Sequence, residues 1–331
     1  MFGRSSVPTQ RTMHRFKNIL YVAEPGSGLT PGLRRGAELA RVNDGRLTIA
    51  QVAAPPAGAV TGGLGTEVHS LTREVEEGQR EELEGWAREL EEGGVQVDTR
   101  LLRGKPFLVI VQEVLKEGRD LVMKNAEGPS GGFRSRLFGS TDQHLLRKCP
   151  CPVWLFNPSQ GPGFRSVLAS VDVGGGGDSE INRRILQLAS SLSVRENASL
   201  HVAHVWSLYG ESILRSPSRG VGQDLLNQLL EEEEEERLRR LQSLVEEAAV
   251  PDSNPRLHLV KAEAADGIRA VSEEVLADVV VMGTLSRAGV RGLLIGNTAE
   301  TVLGRLDSSV LAVKPEGFRS PVFPAGAEDP E

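Results

Sequence analysis

The chain has almost no cysteine, no excess of positive charge and no long apolar run, and each shortage removes a class of function. Its 331 residues include two cysteines, Cys149 and Cys151. Spaced as Cys149-Pro150-Cys151, they are too close for an ordinary disulfide framework, which suits a reducing cytoplasm. With 38 Lys+Arg against 45 Asp+Glu the net charge is −7, so the basic face that holds nucleic acid by counterion release is missing. No stretch approaches the roughly 20 apolar residues of a membrane span, and residues 1–15 carry no apolar signal core. The expectation is a cytoplasmic protein without membrane or direct nucleic-acid contact. The dinucleotide pattern GxGxxG and a nucleophile elbow are also lacking, so no catalytic residue is assigned. His144 beside the two cysteines does not make a usual zinc pattern, and buried thiols are expected. His201 and His204 fall on opposite or adjacent faces of one strand with no glutamate–histidine metal motif beside them, and no metal site is expected.

Internal repetition is what the chain does have. Phe16-Lys17-Asn18-Ile19-Leu20-Tyr21-Val22 returns as Phe164-Arg165-Ser166-Val167-Leu168-Ala169-Ser170, and Pro152–Pro158 is answered by Ser309–Pro315. The period is far too long for a solenoid unit, so each repeat is a globular domain. The expected boundaries are 16–158 for the first domain, 159–163 for a Pro/Gly/Ser linker and 164–315 for the second. Residues 316–331, rich in Pro, Gly and acidic side chains, read as a disordered tail.

Within each repeat, short apolar runs alternate with longer amphipathic segments, the pattern of βαβ units. Strands are expected at Ile19–Ala23, Leu47–Val52, Val95–Leu101, Asp120–Met123 and Val153–Phe156, then at Val167–Val171, Leu200–Val205, Leu257–Val260, Val279–Met282 and Val310–Val313. With right-handed crossovers each half is an α/β domain with a doubly wound, five-stranded parallel sheet. One long helix is marked by Leu226, Leu229, Leu230, Leu238, Leu241, Leu244 and Val245; its counterpart surrounds Val75, Leu83, Trp86 and Leu90. The run Glu231–Glu236 reads as a solvated face offset by Arg237, Arg239 and Arg240. The last strand of each repeat would leave unpaired backbone groups at a sheet edge. Val153–Phe156 and Val310–Val313 are therefore expected to pair with each other as an intramolecular pseudo-dimer.

A doubly wound sheet places its ligand site at the carboxyl ends of the strands, where strand order reverses. Two segments feed that crevice in the second repeat. After its first strand comes Asp172, placed to accept hydrogen bonds from a ribose or adenine, to help hold a metal, or to cap the helix starting near Asp178 or Ser179. After its fourth strand comes Met282-Gly283-Thr284-Leu285-Ser286, leading to Gly296-Asn297-Thr298. Small residues there admit a phosphate, and the following helix start favours an anion. This segment resembles the nucleotide loop of ATP-binding universal stress proteins, Gly-x2-Gly-x9-Gly-Ser/Thr after a strand ending Met-Gly-Thr. Gly283 and Gly296 match its first and third glycines; Ser286 and Asn297 depart from it. The resemblance implies that Asp172 contacts the nucleoside and that Val205 lines the adenine pocket. In the first repeat Glu24 replaces the aspartate and Lys124 the first glycine, while Gly139 and Ser140 survive. A lysine there can meet a phosphate directly; its alteration together with the glycines and the aspartate points instead to a site that has been lost.

Asp142–Trp154 and Gly296–Glu300 look like the two domains of the E-type branch of that family. The resemblance implies the adenine nucleotide α-hydrolase-like fold and a cytoplasmic factor that supports survival under stress, including DNA-damaging agents, without catalytic turnover. ATP or AMP, with Mg²⁺, is the implied ligand of the second domain, changing partner affinity through a population shift. The alternative is a nucleotide-independent scaffold that binds a protein or small apolar ligand. A weak ATPase would have only Asp172 as its candidate base.

Overall fold

The structure is a computed structural model that describes residues 16–53, 65–127, 139–161, 163–174, 179–215, 222–248, 254–284 and 306–323. The first repeat runs β1 (Asn18–Val22), α1 (Pro31–Val42), β2 (Arg46–Ala53), α2 (Gly65–Glu92), β3 (Gln96–Arg103), α3 (Pro106–Glu117), β4 (Leu121–Asn125), α4 (Ser140–Lys148) and β5 (Val153–Phe156). The second runs β6 (Ser166–Ser170), α5 (Ser179–Glu196), β7 (Ser199–Trp206), α6 (Glu211–Leu214), α7 (Gln223–Glu247), β8 (Arg256–Lys261), α8 (Ala264–Glu274), β9 (Val279–Gly283) and β10 (Ser309–Val313). The expected fourth helix of the second repeat lies outside the described residues.

Local chemistry sets the element boundaries. Thr30 opens α1 by accepting the Leu33 N–H at 3.2 Å, with Pro31 as the first helical residue, where its missing donor costs nothing. Helix α3 also begins on a proline and stops at Gly118, whose φ of 61° is the left-handed geometry of a helix end.

All ten strands form one sheet in the order β3-β2-β1-β4-β5-β10-β9-β6-β7-β8. Neighbours within each repeat are parallel. The repeats join through one antiparallel pairing, β5 to β10, in the register Val310↔Leu155, Leu311↔Trp154 and Ala312↔Val153. Each copy thus covers the edge that the other would expose. Polar contacts reinforce the join. Arg35 pairs with Glu196 at 2.6 Å and lies 3.8 Å from the centre of the Phe164 ring. The Lys314 ammonium, just after β10, donates to the Leu146 carbonyl on α4.

The long helices pack less completely than their apolar pattern suggests. Leu83, Trp86 and Leu90 are buried, but Val75 is 64% exposed; Leu226, Leu241 and Leu244 are buried, but Leu229 and Leu238 face solvent. Helix α2 has 28 residues and the strands beneath it 8, about 42 Å of helix over about 26 Å of strand. The helix is longer than the strand beneath it, and Leu71 and Val75 stand exposed. On α7 the acidic run is a solvated face, with Glu233 paired to Arg237 and Glu236 to Arg239 and Arg240. Within residues 316–323, expected in a disordered tail, Val322 joins a buried apolar cluster and the Phe323 carbonyl accepts from Gln112 at 3.5 Å, while Glu316, Gly317, Arg319 and Pro321 are exposed. One apolar side chain reaching a core offsets the ordering of a few residues. The remainder of that tail lies outside the described residues.

Candidate functional site

Strand order reverses at β6, which pairs with β7 on one side and β9 on the other. Ser170 stands opposite Met282 in that register, so Asp172 and Thr284, each two residues further on, follow the carboxyl ends of two adjacent strands. This is the crevice where doubly wound sheets hold ligands.

The backbone of Asp172 is clamped by Asn182 of α5. Its N–H donates to the Asn182 Oδ1 at 3.0 Å and its carbonyl accepts from the Asn182 Nδ2 at 2.6 Å. The Asp172 carboxylate accepts the Gly174 N–H at 3.0 Å and keeps a side-chain exposure of 39%. The carboxylate thereby closes a turn at the end of β6. Nearby, the His204 Nδ1 is 3.2 Å from the Val171 carbonyl and 3.9 Å from the Asp172 Oδ1.

Gly283 closes β9, and a Cβ there would lie 3.1 Å from the Ile181 Cδ1. The Thr284 N–H donates to the Val313 carbonyl at 3.3 Å. Its Oγ1 is buried without a hydrogen-bond partner among the described residues. A buried hydroxyl left in that state is costly, and it faces the end of the strand pair. Met282 is buried in a core cluster, and Val205 packs against that cluster over Gly267, where any Cβ would collide with it. Ser286, Gly296, Asn297 and Thr298 lie outside the described residues.

The same crevice in the first repeat is filled by its own side chains. Lys124 is 3% exposed and Asp142 fully buried, with the Lys124 Nζ 2.5 Å from the Asp142 Oδ1. The ammonium also donates to the Asn125 carbonyl at 2.8 Å and lies 3.4 Å from the Glu127 carboxylate. The other Asp142 oxygen accepts the Glu127 N–H at 2.7 Å. Burial pushes the Asp142 carboxyl up from the usual range, with Lys124 pulling against it. The Glu127 carboxylate lies where a Cβ on Gly139 would be, so the surviving glycine receives a side chain of its own domain. Glu24 and Ser140 are both exposed.

Asn182 and Glu127 were not assigned a role from the sequence, and Asp142 entered only as the start of the Asp142–Trp154 stretch. The signal for Asp142 was in the repeats: aligning Gly139 with Gly296 sets Asp142 against Ala299, as Lys124 stands against Gly283. Lysine and aspartate occur together in one copy and are absent together from the other.

Comparison with known proteins agrees with this architecture. A family model described as "Universal stress protein family" matches residues 15–157 and again 163–314. The chain is similar to Universal stress protein E of Photorhabdus laumondii, 26% identical over 317 residues covering 94% of this chain and 98% of the relative. It is also similar to Universal stress protein E of Escherichia coli, 25% identical over 336 residues covering 96% and 100%. Among solved structures, a functionally unknown protein from Pseudomonas aeruginosa superposes with a TM-score of 0.68 at 26% identity, covering 92% of this chain and 95% of that one. A universal stress protein from Archaeoglobus fulgidus has the same fold, with a TM-score of 0.61 at 17% identity, covering 90% and 98%.

Proposed function

This chain belongs to the universal stress protein family, and on that premise we propose that its second domain binds an adenine nucleotide, ATP or AMP, as a regulatory signal in a cytoplasmic stress response. One contrast carries the reading. Where the first repeat fills its crevice with the Lys124–Asp142 pair and Glu127, the second has Gly283, a partly exposed Asp172 and a buried Thr284 hydroxyl with no partner among the described residues. Asp172 would accept hydrogen bonds from a ribose or adenine; Gly283 would let the backbone approach; Thr284 would gain a partner. The loop with Ser286, Gly296, Asn297 and Thr298 would meet the phosphates, and ATP would arrive with its Mg²⁺. The proposed role is binding, not turnover: the Asp172 carboxylate, the candidate base, already accepts the Gly174 N–H at 3.0 Å.

Competition against a fluorescent adenine nucleotide, with and without Mg²⁺, tests this reading. Unlabelled ATP or AMP should displace the probe from the wild type, and Asp172→Ala should weaken binding at least tenfold. A hundredfold excess of ligand over its dissociation constant should also stabilise the protein by about 2.7 kcal/mol. No binding at millimolar nucleotide refutes the proposal.

A second reading, an interaction scaffold independent of nucleotide, is favoured by Leu71 and Val75 on α2 and Leu225, Leu229 and Leu238 on α7, all exposed. A partner protein that binds equally with and without nucleotide, and loses affinity when these leucines become polar, would select it.

A further inference from the structure

We propose that Cys149 and Cys151 form a hydroperoxide-reactive dithiol that closes to a disulfide within the folded chain. The two Sγ atoms are 3.5 Å apart, about 1.5 Å more than a disulfide bond requires. Cys149 ends α4 with φ −67° and ψ 129°. The chain bends at Pro150 and Cys151 and brings the two side chains together, with the ring of Pro150 limiting the backbone between them. The thiols are therefore held in contact before any oxidant arrives.

A buried cation from the other repeat completes the site. Lys314 is 2% exposed and anchored on the Leu146 carbonyl in the last turn of α4. Among the described residues no carboxylate pairs with it, and the charges that act on it are those of Cys149 and Cys151. Burial opposes ionisation of Cys149, but hydrogen bonds from the Cys151 thiol and backbone and the field of Lys314 hold its pKa below the ordinary value. The hydrogen bond to Cys149 and burial push Cys151 up, so it stays a thiol. One sulfur is thus a nucleophile and the other a proton-bearing partner. Cys151 is 8% exposed and Cys149 not at all, so an oxidant reaches the Cys149 sulfur only through a local opening beside Cys151, which favours the smallest hydroperoxide, hydrogen peroxide.

The Cys149 thiolate attacks one peroxide oxygen; an S–O bond forms, the O–O bond breaks, and hydroxide leaves to take up the proton that Cys149 had released. The Cys151 sulfur then attacks the Cys149 sulfur; the S–S bond forms, the S–O bond breaks, and the hydroxyl leaves as water with the Cys151 proton. Two thiols and one hydrogen peroxide give one disulfide and two waters.

The test uses the reduced full chain, treated with hydrogen peroxide, quenched and alkylated after denaturation. The expected result is loss of two hydrogens in the intact mass, loss of both alkylation sites and an unchanged circular dichroism spectrum. Cys151→Ser should trap a sulfenic acid on Cys149, read as the gain of one oxygen in the intact mass. Lys314→Met should slow closure at least fivefold, and Lys314→Arg should restore it. The proposal is overturned if both thiols remain open to alkylation, if disulfides form only between chains, or if the urea-unfolded chain closes as fast as the folded one.

Discussion

Removing Asp142 tests whether the first repeat's crevice is closed by its own ion pair. In Asp142→Ala the Lys124 ammonium, itself buried, loses its carboxylate at 2.5 Å, and the Glu127 N–H loses the acceptor that held it at 2.7 Å. Breaking a buried pair by deleting one partner costs about 3–5 kcal/mol, and an orphaned backbone donor adds to that. An expected loss of roughly 4 kcal/mol, at a urea dependence of about 2 kcal/mol per molar, moves the unfolding midpoint down by about 2 M. Lys124→Met should cost less, about 1–2 kcal/mol, because burial already raises the Asp142 pKa and the carboxyl left behind can take a proton. The double variant Lys124→Met/Asp142→Leu should recover most of the loss, since well-packed apolar groups often replace a buried pair at no net cost. Urea unfolding of the four proteins supplies the cycle. An Asp142→Ala midpoint close to wild type, or strictly additive effects, would refute the closed-site reasoning.

Three further outcomes are expected. Burial holds the Lys314 pKa down from 10.5 to about 8, so between those values the unfolded chain binds more protons and stability rises with pH. The full span is about 3 kcal/mol, and thermal melts across pH 8–10.5 should show a rise that Lys314→Met flattens. His201 and His258, with Nδ1 and Nε2 2.9 Å apart, are both held below the ordinary histidine value, chiefly by burial; acidification below about pH 6.5 should therefore destabilise the fold, and His258→Asn should lessen that loss in acid titrations followed by circular dichroism. Gly267→Ala puts a Cβ into Val205, and overpacking of that kind should cost about 1–3 kcal/mol in a thermal melt.

The central strands were legible in the sequence because they are short apolar runs buried on both faces, and such runs need a parallel sheet between helix layers; the outer strands β3 and β8 are only partly buried. Pairing of Val153–Phe156 with Val310–Val313 followed from the same logic, since an unpaired edge has to be covered. The exposure of Val75, Leu229 and Leu238 was hidden because periodicity records which face is apolar, not where the sheet beneath the helix ends. Asp172 and Gly283 were marked as candidates by their positions at the carboxyl ends of β6 and β9. Lys124 was noticed as a departure, but its partner Asp142 lies 18 residues away, and only folding brings such positions together. The packing of Val322 was missed because composition describes the tail and not its one anchoring side chain.

Calorimetric stoichiometry of ATP and AMP on the intact chain tests the central contrast most directly, with Gly283→Lys as the partner experiment. One nucleotide per chain in the wild type, and none in Gly283→Lys with its circular dichroism intact, is the predicted result. Two nucleotides per chain, or binding unchanged by the lysine, would contradict the account of one open and one closed site.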